Sequence, residues 1–568
     1  MIPTALCRRL AAAAVMLIVA AGCASQTDES DEPAASGVAA GGDAAASAGF
    51  PDHPGLEVIV PPSHFHGVHG ITVTPKGEIL VGSVVGQAIY RVDETTGAVS
   101  EVIGPPEGMA DDLETGPDGT LAWTAFLVGN VYGRTGDGPV RVIAEGLPSA
   151  NSIAWSDDGR LFVSQVFGAD AVWELDPAGA EPPRRIVEGI GGFNGFDVGA
   201  DGWLYGPVWF GGRIVRIDPD GGAVETVAEG FGIPAAANFD SAGNLWVVDT
   251  QRGEVVKVDV ASGATEVVAT TRPSLDNLAF AADDTLYITN MADNGVYRVD
   301  TATGELTTLV EGALAMPAGL ALWQDGDRVT LYVADTFAYR TVDVVSGEVT
   351  TVRRMWAQDL EGLDYPLSSW ADSDHVILAG WSSGTVQVID RASGESLRML
   401  HGFAGPTAAL ELPDSRLLVA EAGTGRLLVV TPDGASREAL VEGLAAPAAI
   451  ELGEGEVFVS ESASGTVSAV ALDGGARRVV ADGLLVPEGI DLAPDGRLVV
   501  AEVGARRLIA IHPATGEIAE LASDLPIGLP GPEGAPPSYV TTGVAVAADG
   551  AVYFTSDLEN AIYRVPAR

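Results

Sequence analysis

The sequence predicts an all-β protein of tandem six-bladed β-propellers, with twelve four-stranded blades preceded by a signal peptide and a flexible tether. Three observations carry this prediction. A motif of about forty residues recurs twelve times between Phe65 and Arg568, and a repeat of that length marks units that bury their apolar faces against one another. The copies alternate apolar and polar residues with the period of a strand, and beyond the first two dozen residues no helical period survives. Half of the copies turn on Asp-Gly, as in Ile490-Asp491-Leu492-Ala493-Pro494-Asp495-Gly496-Arg497-Leu498-Val499-Val500-Ala501-Glu502, where glycine supplies the positive φ of a tight hairpin.

The N-terminus stands apart from the repeats. Arg8 and Arg9 precede an apolar run from Leu10 to Ala21, too short to span a bilayer comfortably. It ends in Ala20-Ala21-Gly22-Cys23, which resembles the lipobox of bacterial lipoproteins. That resemblance implies cleavage before Cys23, a diacylglycerol on its thiol, and an exported protein anchored at the periplasmic or outer surface of a membrane. Residues 1–22 are thus read as the signal, and residues 23–55, rich in Ser, Ala, Gly, Asp and Glu, as the tether.

Composition removes several classes of function. The chain has two cysteines, Cys7 in the signal and Cys23 at the anchor, so disulfides, cysteine nucleophiles and cysteine-bound zinc are excluded from the mature body. A body of about 500 residues buries ample core without them. The formal charge is −47, with Lys76 and Lys257 the only lysines, and such a surface repels nucleic acid and anionic headgroups. The expected partners are a small-molecule substrate or ligand, and a membrane only through the lipid.

Each repeat reads as four strands. In the fourth copy these are Gly195 to Val198, Trp203 to Tyr205, Ile214 to Asp218 and Ala223 to Val227. An apolar anchor follows each turn, from Ile79 in the first copy to Val552 in the twelfth. Twelve blades in one ring would leave a wide, wet axis, so two rings of six pack better. The chain ends on a third strand, Ile562 to Val565, and begins with Leu56 to Val60, which reads as an outer strand without a blade. The economical closure has Leu56 to Val60 complete the blade of Leu286, and Glu305 to Val310 open the second ring and complete the blade of Val552. This puts one propeller at residues 56–303 and the other at 304–568.

The start of each innermost strand lies beside the propeller axis. Ten residues before each anchor, the first half presents His69, Asp111, Asn151, Asn194, Ala235 and Asp276. Carboxylate and amide oxygens around one axis suit a hard divalent cation, best Ca²⁺, so Asp111, Asn151, Asn194 and Asp276 are candidate metal ligands. His64, His66 and His69 crowd one entrance, which leaves a transition metal open as an alternative and makes His69 a candidate general base. The second half is blander, with Ala318, Thr407, Ala448, Glu488 and Thr542. Four residues after the anchors, Gln165, Asp249 and Asn290 return to the same face. Together with His66 and Trp209 they are candidate substrate-binding residues, and Trp123, Phe126, Phe167, Trp209 and Phe210 could wall a pocket.

At Asn194-Gly195-Phe196-Asp197-Val198-Gly199-Ala200-Asp201-Gly202-Trp203-Leu204-Tyr205 the chain resembles the SMP-30/gluconolactonase/luciferin-regenerating-like family. Asn151 to Trp155 and Asp276 to Phe280 are similar to the same phrase, which NHL-type propellers share. The resemblance implies a six-bladed propeller with an axial divalent cation, often Ca²⁺, and hydrolysis of lactones. It implies Asn151, Asn194 and Asp276 as ligands. The family's Glu-Gly opening is replaced by His69-Gly70 in the first blade, with Asp111 as the substitute acidic ligand. The expected function is a divalent-cation-dependent lactonase or esterase on the first axis. The alternative is a non-catalytic cell-surface propeller that binds a ligand or a protein.

Overall fold

The computed structural model describes residues 49–357, 362–532 and 534–567. The signal, Cys23 and most of the expected tether lie outside these residues. The described chain forms 48 strands and three short 3₁₀ turns, arranged as twelve four-stranded antiparallel sheets. Among the described residues no helix is long and apolar enough to cross a membrane.

Each sheet is a blade built by local hairpins, because strand alternation and the Asp-Gly turns leave consecutive segments nothing nearer to pair with. All twelve anchors from Ile79 to Val552 lie in second strands and are buried between blades. Where the turn lacks glycine, Asp284 and Ser415 take its place at φ 64° and 66°.

The blades close into two rings of six. In the first, the innermost strand Ile71–Val73 lies beside Leu275–Phe280 of the sixth blade. In the second, Leu320–Asp325 lies beside Val544–Val546. The same staple closes both rings. Thr289 donates its hydroxyl to the carbonyl of His69 at 2.6 Å, and Thr555 donates to that of Ala318 at 2.7 Å.

The outer-strand closure differs from the expected one. Glu57–Val60 pairs with Ala561–Val565, with Val58 opposite Tyr563, and so completes the twelfth blade. Leu306–Val310 stays with its own neighbour Gly295–Val299 and completes the sixth blade. The reason is local: Gly304 at φ 75° makes the same left-handed turn as Gly97 and Gly263 at the corresponding hairpins, so the adjacent strand folds back at little entropic cost. The first ring therefore spans residues 71–310 and is inserted between the first strand of the second ring and the rest of it.

The chain passes between the rings twice, on either side of Asn294. This buried residue accepts from Gly67 N–H at 2.7 Å on one crossing and donates to Ala315 O at 2.8 Å on the other. Nearby, buried Asp293 takes Arg272 at 3.0 Å from the first ring and Arg354 at 2.7 Å from the second. The segment just before the first strand is docked, not free: Phe50 stacks on His64 at 4.6 Å, and His53 pairs with Glu559 at 3.0 Å.

Candidate active site

The second ring covers one end of the first ring's axis, and a cavity of about 70 Å³ lies between them. Its floor is made by strand starts of the first ring: His69, Asp111, Asn151, Asn194 and Asp276 all line it. They converge because each begins an innermost strand, or the segment leading into one, at the same height on the axis.

The chemistry of the floor follows from burial. His69 is buried, and its Nδ1 lies 2.9 Å from the carbonyl of Gly67. That carbonyl accepts Nδ1–H, so the neutral tautomer carries its lone pair on Nε2. Burial lowers the pKa of His69 to about 4, against a smaller opposite effect of the Gly67 bond. Burial, then the charges of Asp276 and Asp112, hold the Asp111 carboxyl well above the usual range. Burial and Asp112 push Asp276 up to about 8. Among the described residues no lysine or arginine lines the cavity to offset these carboxylates. The amide oxygens of Asn151 and Asn194 both lie 3.0 Å from Ser152 Oγ, which draws the two side chains together. Carboxylates, amides and an imidazole are ligand types for a divalent cation, although the ligand atoms of His69, Asp111 and Asp276 do not all lie within 4.8 Å of one another.

The same acidity continues down the axis. On the far side of the waist a wider cavity of about 400 Å³ is lined by Asp112, Glu114 and Asp197. These carboxylates join neighbouring blades. Asp112 accepts from Ile153 N–H at 3.2 Å, Glu114 from Trp155 N–H at 2.7 Å and Asp197 from Phe239 N–H at 2.9 Å. Burial raises all three, Asp112 to about 7.

Trp209 lines the upper cavity with Phe126 and Phe167, whereas Trp123 is buried in the packing between blades and Phe210 is exposed. The other candidate substrate-binding residues are placed elsewhere. His66 donates from Nε2 to the carbonyl of Asp557 at 2.8 Å and so ties the rings together. Gln165 donates to Pro148 O at 2.8 Å, and Asn290 to Pro273 O at 3.0 Å. Asp249 accepts from Gly232 N–H at 2.7 Å and Ile233 N–H at 3.1 Å. These three clamp the loop that enters their own blade, as Glu421, Glu461 and Glu502 do in the second ring through Ala404, Ala445 and Leu485 N–H. The histidines do not gather: His64 stacks on Phe50, His66 reaches Asp557, and His69 alone lines the cavity.

Two features escaped the sequence. The roof of the cavity comes from the second ring and includes Phe337, Trp356, Tyr365, Trp381 and Tyr539. A possible Asp/His/Glu metal site lies on that ring, where ligand atoms of Asp372, His375 and Glu411 fall within 4.8 Å of one another. Its only sequence signal is an Asp and a His flanking one turn; Glu411 comes from the next blade.

Comparison with known proteins adds three findings. Residues 195–327 match a repeat of unknown function, DUF6923. The chain is 32% identical over 110 residues to L-arabinolactonase of Azospirillum brasilense, a stretch that is 18% of this chain and 37% of that protein's length. Among solved structures, virginiamycin B lyase from Staphylococcus aureus is 16% identical over 52% of this chain and 98% of its own, with a TM-score of 0.37. A gluconolactonase from Xanthomonas campestris is 18% identical over 46% of this chain and 96% of its own, with a TM-score of 0.36. By its repeat phrases and its lactonase relative, the chain is similar to the SMP-30/gluconolactonase-like propeller family.

Proposed function

We propose that the protein is a divalent-cation-dependent hydrolase of lactones or esters, acting at the cavity between the rings. The observation that carries this reading is the floor: Asp111, Asn151, Asn194 and Asp276 converge with a neutral His69 in a cavity without a lysine or arginine among the described residues. The L-arabinolactonase relative supports the reaction class.

The four oxygen-bearing side chains would hold the ion, and a bound ion would polarise the substrate carbonyl. His69 Nε2 accepts a proton from water as the water oxygen attacks the carbonyl carbon. The acyl C–O bond then breaks, and the imidazolium returns the proton to the departing alkoxide. The Gly67 carbonyl fixes the tautomer and orientation of His69. The aromatic walls limit bulk water around the reacting atoms.

The test compares the wild type with the double variant Asp111→Asn plus Asp276→Asn. The wild type should retain about one equivalent of tightly held divalent metal by elemental analysis, and the variant should lose it with at least a 100-fold fall in lactone or ester turnover. Equal metal content and turnover in the two proteins would remove the proposal.

A further inference from the structure

We propose that the second ring is the substrate-recognising half of this site, and that it recognises an apolar body: a lactone or ester bearing an alkyl or aryl group, not a polyhydroxylated sugar lactone. This rests on the hydrolase reading above and adds the substrate class.

The division of labour is visible in the lining. The first ring supplies the polar floor, and the second supplies Phe337, Trp356, Tyr365, Trp381 and Tyr539. The rings are joined by a belt of edge-on aromatic contacts. Phe167 meets Trp209 at 5.5 Å, Trp209 meets Trp356 across the seam at 5.1 Å, and Trp356 meets Tyr365 at 5.8 Å. Such a wall favours an apolar or aromatic ligand surface.

The second ring brings the polar side chains of Thr336, Tyr365, Ser382 and Tyr539 and the indole N–H groups of Trp356 and Trp381 to the roof, and two of these groups are occupied within the protein. Thr336 donates its hydroxyl to Met316 O at 3.2 Å, and Trp381 donates Nε1–H to Tyr539 O at 3.2 Å. The phenol of Tyr539 is buried without a hydrogen-bond partner. A sugar lactone brings several hydroxyls, and each one buried without a partner costs about 1–3 kcal/mol. A site of this kind therefore discriminates against the polyol.

Four of the seventeen described non-glycine residues at positive φ lie at the same place. Phe167, Thr336, Trp356 and Tyr365 all line the cavity at positive φ, 73°, 40°, 61° and 40°. Bulky side chains rarely adopt this region, and it persists where the surrounding structure holds it for a task. Three of the four belong to the second ring. The cavity of about 70 Å³ is roughly half the volume that holds benzene in an engineered protein core. A ligand of that size therefore needs the lining side chains to give way.

The experiment uses the full chain loaded with Ca²⁺ and two unreactive isosteres, the aryl lactam dihydro-2-quinolone and the polyhydroxylated gluconolactam. Their affinities are read by calorimetry and tryptophan fluorescence. The aryl lactam should bind at least 10-fold more tightly. Trp356→Ala and Phe337→Ala should each weaken it at least fivefold while leaving Ca²⁺ affinity unchanged. Equal affinities, a preference for the polyol, binding of neither lactam, or an aryl affinity untouched in both variants would each overturn the proposal. Turnover of the matching lactones in the same samples separates the two readings. Aryl preference in binding without turnover of any lactone or ester removes the hydrolase reading and leaves the recognition standing. Turnover with polyol preference does the reverse.

Discussion

At the scale of residues, similar positions in different blades carry two kinds of polar side chain. Those ten residues before an anchor meet at the axis, and those four residues after it clamp loops. Asp249 belongs to the second kind, with backbone N–H groups of Gly232 and Ile233 on its carboxylate. Asp249→Ala should therefore cost about 2–4 kcal/mol in denaturant unfolding, through orphaned buried amides, and should leave divalent-cation affinity unchanged by calorimetry. The axial register was legible because the repeat fixes the geometry of every strand start. The clamping role was not, because Asp249 and Asp276 are chemically alike and only the path of the neighbouring loop distinguishes them. His66 offers a test in pH. Burial holds its folded pKa at about 4 against an ordinary 6.5, so the folded state binds fewer protons than the unfolded one between those values. Its contribution to stability is full above pH 6.5 and is lost as pH falls towards 4. The raised carboxyls of Asp112 and Asp276, at about 7 and about 8, have the opposite sign: they favour the cation-free fold at low pH and withdraw that support as pH rises. The His66→Gln variant isolates the histidine. Between pH 6.5 and 4 its melting temperature should fall less steeply than that of the wild type in calorimetric scans.

At the scale of elements, the strands were legible from alternation and turns, and the partners of the outer strands were not. Glu57–Val60 is a short run of generic strand residues, and nothing in its sequence distinguishes the edge of the sixth blade from that of the twelfth. The decision rests on Leu306–Val310, which follows Gly304 into a local hairpin and leaves the sixth blade already complete. Val60 is fully buried in the second ring's core beside Leu331 and Ile562. Burying a side chain of this kind stabilises by about 1.5–3 kcal/mol. Deleting residues 1–60 should lower the melting of the second ring by about 5 °C or more. The transition of the first ring should stay in place, as two-component calorimetric traces would show.

At the scale of the whole molecule, the site depends on how two similar rings face each other, and that relation has no period to betray it in the sequence. The roof residues Phe337 and Trp356 were invisible for this reason, whereas the floor followed from the repeat alone. The seam is fastened by a buried network: Asp293 receives Arg272 from one ring and Arg354 from the other, and Arg340 beside them pairs with Asp335 at 2.6 Å. Removing the charge strands Arg354, while Arg272 keeps Glu311 and Arg340 keeps Asp335, so Asp293→Asn should destabilise the junction by about 3 kcal/mol. The expected readouts are a larger radius of gyration in small-angle scattering and faster proteolysis between residues 311 and 319. The pairing of Glu57–Val60 with Ala561–Val565 has a further consequence, for the order of assembly. During synthesis the first ring has all its strands once Val310 emerges. The second ring waits for the final strand, while at about 5–20 residues per second its own first strand stays unmatched for on the order of half a minute or longer. A nascent chain in that interval is one finished propeller with a loose ribbon at its front. The brevity of that ribbon and the charge of Glu57 are what keep it from pairing with a neighbouring chain.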